Sequence, residues 1–159
     1  MIRGLGILLL AAVVAADQLS KGWIVGYFSD PARHGVEPLA AVFNLVLVRN
    51  RGVSFGLFNG DSAASAAIFS ILAAAVVVAL LVWLWRTRST LIAMAIGLIA
   101  GGAVGNVIDR LRFGAVTDFL DFHWGEWHFP AFNLADSAIT VGVGLLIIDG
   151  LLGRGESRN

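Results

Sequence analysis

There is no cysteine among the 159 residues, which excludes disulfides, thiolate metal sites, a cysteine nucleophile and a lipidated cysteine. Charge is also scarce. Only 14% of residues are charged against 58% hydrophobic, and the mean hydropathy is +0.83, so the chain is too apolar for a soluble globular domain of this length. The formal net charge is zero and no basic tail is present, which argues against a nucleic-acid partner. Whatever chemistry occurs is left to carboxylates, hydroxyls, amides and imidazoles.

What the chain does have is long uncharged runs. Residues 62–85 and 91–108 contain no charge at all, and each reaches the roughly 18 to 20 residues that a hydrocarbon core demands. Two further runs, 5–28 and 134–152, are long enough to span if they tolerate Asp17, Gln18 and Lys21 in the first and Asp136 and Asp149 in the last. The expectation is an all-α membrane protein, one domain over residues 1–159, with four transmembrane helices and a small extracytoplasmic β element and loop cradle. Four spans put both termini on one side. Arginines are dense in the short segments 1–4, 86–90 and 153–159 and dilute among acids in 27–61 and 109–132, so the positive-inside bias places the termini in the cytoplasm.

The two long connections differ. Phe43 to Val48 reads FNLVLV, a run rich in branched residues, and RNRGVSFGLFNGD follows with glycines at 52, 56 and 60, which predicts an extended or hairpin element on the membrane surface. Residues 110–130 carry Phe122, Trp124, Trp127 and Phe129, the aromatics of an interfacial loop. At the N-terminus, Arg3, an apolar core and Val14-Ala15-Ala16 also resemble a secretory signal. Hydrophobicity resumes at Trp23, however, and Asp17 and Lys21 are four apart on one helix face, where they can neutralise each other. Either Lys21 snorkels from a pair at the membrane border, or Asp17 points into a polar cavity.

An aspartate at the bilayer centre costs about 2.5 to 3.5 kcal/mol on insertion scales, and near the border it still needs a partner. Asp118 follows the third span by ten residues and Asp136 sits in the first turn of the fourth, so both fall on the same side and can meet. Two close carboxylates share a proton and titrate as a pair. Such a pair can cleave a peptide, with one member taking a proton from the attacking water and the other protonating the carbonyl oxygen. The N-terminal end of the fourth span favours the charged form of Asp136, and Asn133 can cap that end. That makes Asp136 the base and Asp118 the initial acid. Spacing alone leaves open a solvated Asp118 and an Asp136 that only caps a helix.

Around the pair, Asn106, Asp109 and Arg110 can form a polar patch that ends the third span and orients loop carbonyls or substrate backbone. Asn50, before Arg51-Gly52, reads on sequence alone as a turn residue rather than a substrate ligand. Ser54 has no evident base. Asp121, His123, Glu126 and His128 offer metal ligands within eight residues, yet no helical pair of histidines, and no metal or cofactor is expected; Asp121 reads as a loop carboxylate. The alternative function is a small ion or proton transporter, since buried carboxylates also mark ion pathways. A relay strings its acids through the bilayer, whereas Asp17, Asp118 and Asp136 gather on one side.

GGAVGNVIDRLRFGAVTDFLDF from Gly101 and FPAFNLADSAI from Phe129 resemble the two signature blocks of the lipoprotein signal peptidases, or signal peptidase II. DQLSK from Asp17 and RNRGVSFG from Arg49 are similar to the two earlier blocks. The resemblance covers all four spans. It implies an aspartic endopeptidase of the bacterial inner membrane, with its active site toward the outer face, that cuts a prolipoprotein before its diacylglyceryl cysteine. The catalytic pair would be Asp118 in VTDF and Asp136 in NLAD, supported by Asp17, Asn50, Gly52, Asn106, Asp109, Arg110 and Asn133. The partners implied are the lipid-modified substrate, membrane lipid and a globomycin-type peptide inhibitor, with the chain acting as a monomer. Val53 stands where many members have alanine, a change expected to alter groove packing and inhibitor or substrate fit while leaving the chemistry untouched.

Overall fold

The structure, a computed structural model, describes residues 1–52 and 62–156, with the backbone alone at 62–66 and 152–156. Val53, Ser54 and the rest of the predicted surface element beyond Gly52 lie outside the described residues. Four helices form from the four apolar runs: α1 (Ile2–Tyr27), α2 (Ser62–Arg86), α3 (Thr90–Phe113) and α4 (Leu134–Glu156). Each contains a stretch long and apolar enough to cross a membrane. Leu8, Leu19, Ile71, Leu72, Val78, Ile147 and Leu151 point outward, as a lipid-facing surface requires.

α3 is the central helix. It packs against each of the other three, and 61% of its apolar window is buried inside the protein, against 11% for each of the others. Its start is capped by the Ser89 side chain, which accepts from the Ile92 N–H at 3.2 Å. It ends at Gly114, whose left-handed backbone (φ 67°) lets its N–H return to the Arg110 carbonyl. The helix thus runs five residues past the predicted end at 108, because the charge of Asp109 is neutralised inside the protein and need not face lipid.

The connections build a sheet. β1 (Val36–Ala40) and β2 (Phe43–Asn50) come from the first, β3 (Val116–Trp124) and β4 (Trp127–His128) from the second. All neighbours are antiparallel in the order β1-β2-β3-β4. Phe43 to Val48 is a strand, as its composition predicts. Four helices with a small antiparallel sheet are the expected architecture, but the sheet is larger than foreseen, because Val116–Trp124 is a strand where only an aromatic-bearing connection was expected; Phe122, Trp124, Trp127 and Phe129 remain exposed. Asp118 and Asp121 make β3 read as polar, but pairing with β2 satisfies its backbone and both carboxylates find donors. The sheet packs against the end of α1 through Ile24, Leu45 and Phe119, while Leu84, Ala93 and Ile96 form a separate core.

Candidate active site

β3 leaves α3 through the Gly114 turn, pairs with β2 so that Asp118 lies opposite Val48, and presents Asp118 buried. α4 begins beside it with a reciprocal cap. The Asn133 Oδ1 accepts from the Asp136 N–H at 3.0 Å, and the Asp136 carboxylate accepts from the Asn133 N–H at 3.3 Å, which satisfies two N–H groups left over at the helix start. Asn133 is fully buried. Its amide NH2 donates to the Asp118 Oδ1 at 2.7 Å, so one residue contacts both carboxylates. Asp136 caps the helix and also neighbours Asp118; the two readings of its position are compatible.

Each carboxylate receives a second amide. The Asn50 Nδ2 donates to the Asp118 Oδ2 at 2.9 Å, while its Oδ1 accepts from the Gly52 N–H at 2.8 Å. Asn50 is thus both a turn residue and a partner of Asp118. Gly52 has φ 77° and a Cβ there would lie 2.9 Å from the Phe69 ring, which restricts the position to glycine. On the other side, the Asn106 Nδ2 donates to the Asp136 Oδ1 at 2.8 Å. Arg110 lies over the Phe69 ring at 5.7 Å, and its positive charge acts on Asp109, Asp118 and Asp136.

Behind this pair lies a second charged group. The Lys21 Nζ is 2.9 Å from Asp17 and 3.4 Å from Asp109, and it donates to the Asn106 Oδ1 at 3.0 Å. All three charged side chains are 4% exposed or less. Lys21 therefore does not snorkel; two carboxylates and an amide hold it inward, at a site where an unpaired charge would be costly. Gln18 joins the group by donating to Asp17, Asp109 and the Gly105 carbonyl. Asp109 reaches the backbone at the start of β3. It accepts the Thr117 N–H at 2.9 Å. Asp17 accepts the Ala135 N–H at 3.1 Å. Sequence reasoning missed Gln18, and the i, i+4 spacing of Asp17 and Lys21 was the signal for the pair but not for its burial.

Burial pushes the Asp118 carboxyl up to about 6; the Asn50 hydrogen bond opposes that, the nearby Asp136 charge adds to it, and Asn133 and Lys21 oppose it. Asp121 differs. It is a buried strand residue, not a loop carboxylate, and although burial pushes its carboxyl up, hydrogen bonds from His128 (2.9 Å) and Asn44 (2.8 Å) hold it below the usual range. The rings of His123 and His128 stack at 5.1 Å, and no three of His, Asp or Glu converge in metal-binding fashion among the described residues.

An apolar groove of about 540 Å³ opens beside Asp136, walled by Phe129, Pro130 and Phe132 on one side and Ser137, Thr140 and Val141 of α4 on the other. A buried Asp118 and a half-buried Asp136 with an apolar groove at their edge suit a reaction on a substrate that has an apolar part.

Solved structures of a bacterial membrane enzyme share this architecture. One is 31% identical with a TM-score of 0.78, covering 98% of this chain and 92% of that one; another is 32% identical with the same TM-score and covers 93% of each. The family model described as signal peptidase (SPase) II matches residues 9–152, and this chain belongs to that family of aspartic peptidases. Relatives include the lipoprotein signal peptidase of Burkholderia vietnamiensis, 50% identical over 148 residues that cover 92% of this chain and 86% of the relative. That of Beijerinckia indica subsp. indica is 44% identical over 147 residues, covering 92% and 87%.

Proposed function

We propose that this chain removes the signal peptide from diacylglyceryl-modified prolipoproteins, cleaving before the lipidated cysteine, with Asp118 and Asp136 as the catalytic pair. The observation that carries this is the position of Asn133, whose side-chain amide holds Asp118 while its backbone N–H holds Asp136. Family membership and the relatives' name support the substrate class.

Asp136 acts as base and Asp118, pushed up to about 6, as acid. Asp136 takes a proton from water as the water oxygen bonds to the scissile carbonyl carbon. Asp118 gives its proton to the carbonyl oxygen, forming a tetrahedral diol. As the diol collapses, Asp118 recovers a hydroxyl proton, Asp136 passes its proton to the leaving nitrogen, and the C–N bond breaks. Both carboxyl groups return to their starting states. The groove beside Asp136 is the seat of an acyl chain or of the apolar signal segment, and Asn50, Gly52, Asn106 and Arg110 shape the surroundings.

The same reading puts the enzyme in the bacterial inner membrane as a single domain that acts as a monomer, with cytoplasmic termini and an outward site open to a globomycin-type peptide; arginine density supports that orientation. A transporter is disfavoured because the acids gather in one network, while Asp149 sits apart beside Ser89 at 3.4 Å. The test is cleavage of a diacylglyceryl-modified prolipoprotein by Asp118→Asn and Asp136→Asn, each checked for folding, with a chelator control. Both are expected to lose at least about 1,000-fold in rate. Retained activity in either would remove the pair from the mechanism, and chelator sensitivity would point to a metal.

A further inference from the structure

Asp17 and Asp109 stand in matching positions. Asp109 accepts the N–H of Thr117, the residue before Asp118, and Asp17 accepts the N–H of Ala135, the residue before Asp136. Each acid of the proposed pair is therefore tied, through its preceding peptide, to a carboxylate that lies against the same ammonium, Lys21. Without that cation two buried carboxylates would repel, and the peptides they hold would separate with them.

Lys21 has a third contact. Its ammonium has only protons to offer, so the Asn106 amide must turn its oxygen toward Lys21, and the Asn133 Nδ2 also donates to that oxygen at 3.2 Å. The Asn106 NH2 is then left facing Asp136. We infer that Lys21 is a positioning residue for proteolysis: it sets the separation of Asp118 and Asp136 by drawing Asp17 and Asp109 together, and it fixes the Asn106 amide that holds Asp136. This rests on the reading of Asp118 and Asp136 as the catalytic pair. The charged groups around Lys21 are Asp17 on α1, Asp109 and Arg112 on α3, Asp118 on β3 and Asp136 on α4.

The test compares wild type with Lys21→Met and with the double variant Lys21→Met/Asp17→Asn, assayed on a diacylglyceryl-modified prolipoprotein in detergent micelles. The double variant keeps the net charge of the group and an acceptor for Ala135, so it is expected to fold even where the single variant does not, and thermal midpoints check this. The expected result is a folded double variant whose kcat is down about 100-fold with KM little changed, as a small misplacement of catalytic groups produces. The single variant, where it folds, is expected to move its pH–rate profile to higher pH as well, because a positive charge near Asp118 has gone with no compensating change. A folded double variant with wild-type kcat would overturn the inference and leave Lys21 a structural counter-ion. Asp118→Asn and Asp136→Asn run alongside separate the two failures: if both are inactive, only the role of Lys21 falls, and if either is active, the pair itself falls.

Discussion

The N–H of Ala135 donates to the Asp17 carboxylate at 3.1 Å, joining residues 118 apart in sequence. It anchors the first turn of α4 to the middle of the bundle one residue before Asp136. The start of α4 is therefore held by polar contacts on three of its first four residues from the cap, Asn133, Ala135 and Asp136.

Asn133→Ala removes the cap of α4 and the donor to Asp118 at once. Thermal stability is expected to fall by about 1 kcal/mol for the cap, and by more if Asp118 stays buried without that donor. The cleavage rate is expected to fall by about 100-fold. Thermal midpoints and steady-state kinetics, measured on the same preparation, check both; an unchanged rate would show that Asn133 only caps.

With Asp118 as the proposed acid, activity is expected to decline as pH rises through about 6, where its carboxyl loses its proton. Asn50 opposes the upward push on Asp118 by stabilising its ionised form. Asn50→Ala therefore raises that midpoint further, and the alkaline limb of the pH–rate profile moves to higher pH. A downward movement would mean that Asn50 acts otherwise.

The folded-state pKa of Asp118 lies above the ordinary value of 3.8, so the folded protein binds more protons than the unfolded chain between about 4 and 6 and its stability falls as pH rises through that window. Asp118→Asn is expected to flatten the fall. Thermal midpoints across pH 4 to 7 measure it, and an equally steep fall in the variant would assign the effect to another group.

Gly105→Ala would place a Cβ 2.5 Å from the Asp17 Oδ2. A side chain there must push Asp17 away from Lys21, at a cost of about 1 to 3 kcal/mol typical of overpacking. Lower thermal stability with reduced cleavage is expected, and a variant as stable as wild type would show that α1 can shift freely along α3.

Asp121→Ala leaves Asn44 and His128 without their acceptor, and should cost about 1 to 3 kcal/mol. Its carboxyl is held low in the folded state, so its stabilisation is present above the unfolded pKa and disappears as pH falls through the folded one. The variant is expected to retain wild-type kcat at low temperature, and a large loss there would implicate Asp121 in the reaction.

The helices were legible because lipid imposes a one-dimensional rule: about 20 apolar residues must follow one another, and 62–85 and 91–108 contain no charge. FNLVLV betrayed β2 through its branched residues. β3 was not legible, since VTDFLDFHW has aspartates where a strand exposed to lipid would not carry them, and its partner β2 lies more than 60 residues away. The residues proposed for the site were readable as motifs around Asp118 and Asp136.

By itself the sequence determined the class of protein, the four spans and the chemical types available, because hydropathy and the absence of cysteine act locally. Only the tertiary structure decided that Lys21 turns inward, that Asp17 and Asp109 hold the peptides before the two aspartates, and that Asn133 touches both. Those contacts join positions from α1, α3, β3 and α4, and a buried charge takes its meaning from the partners that packing brings to it.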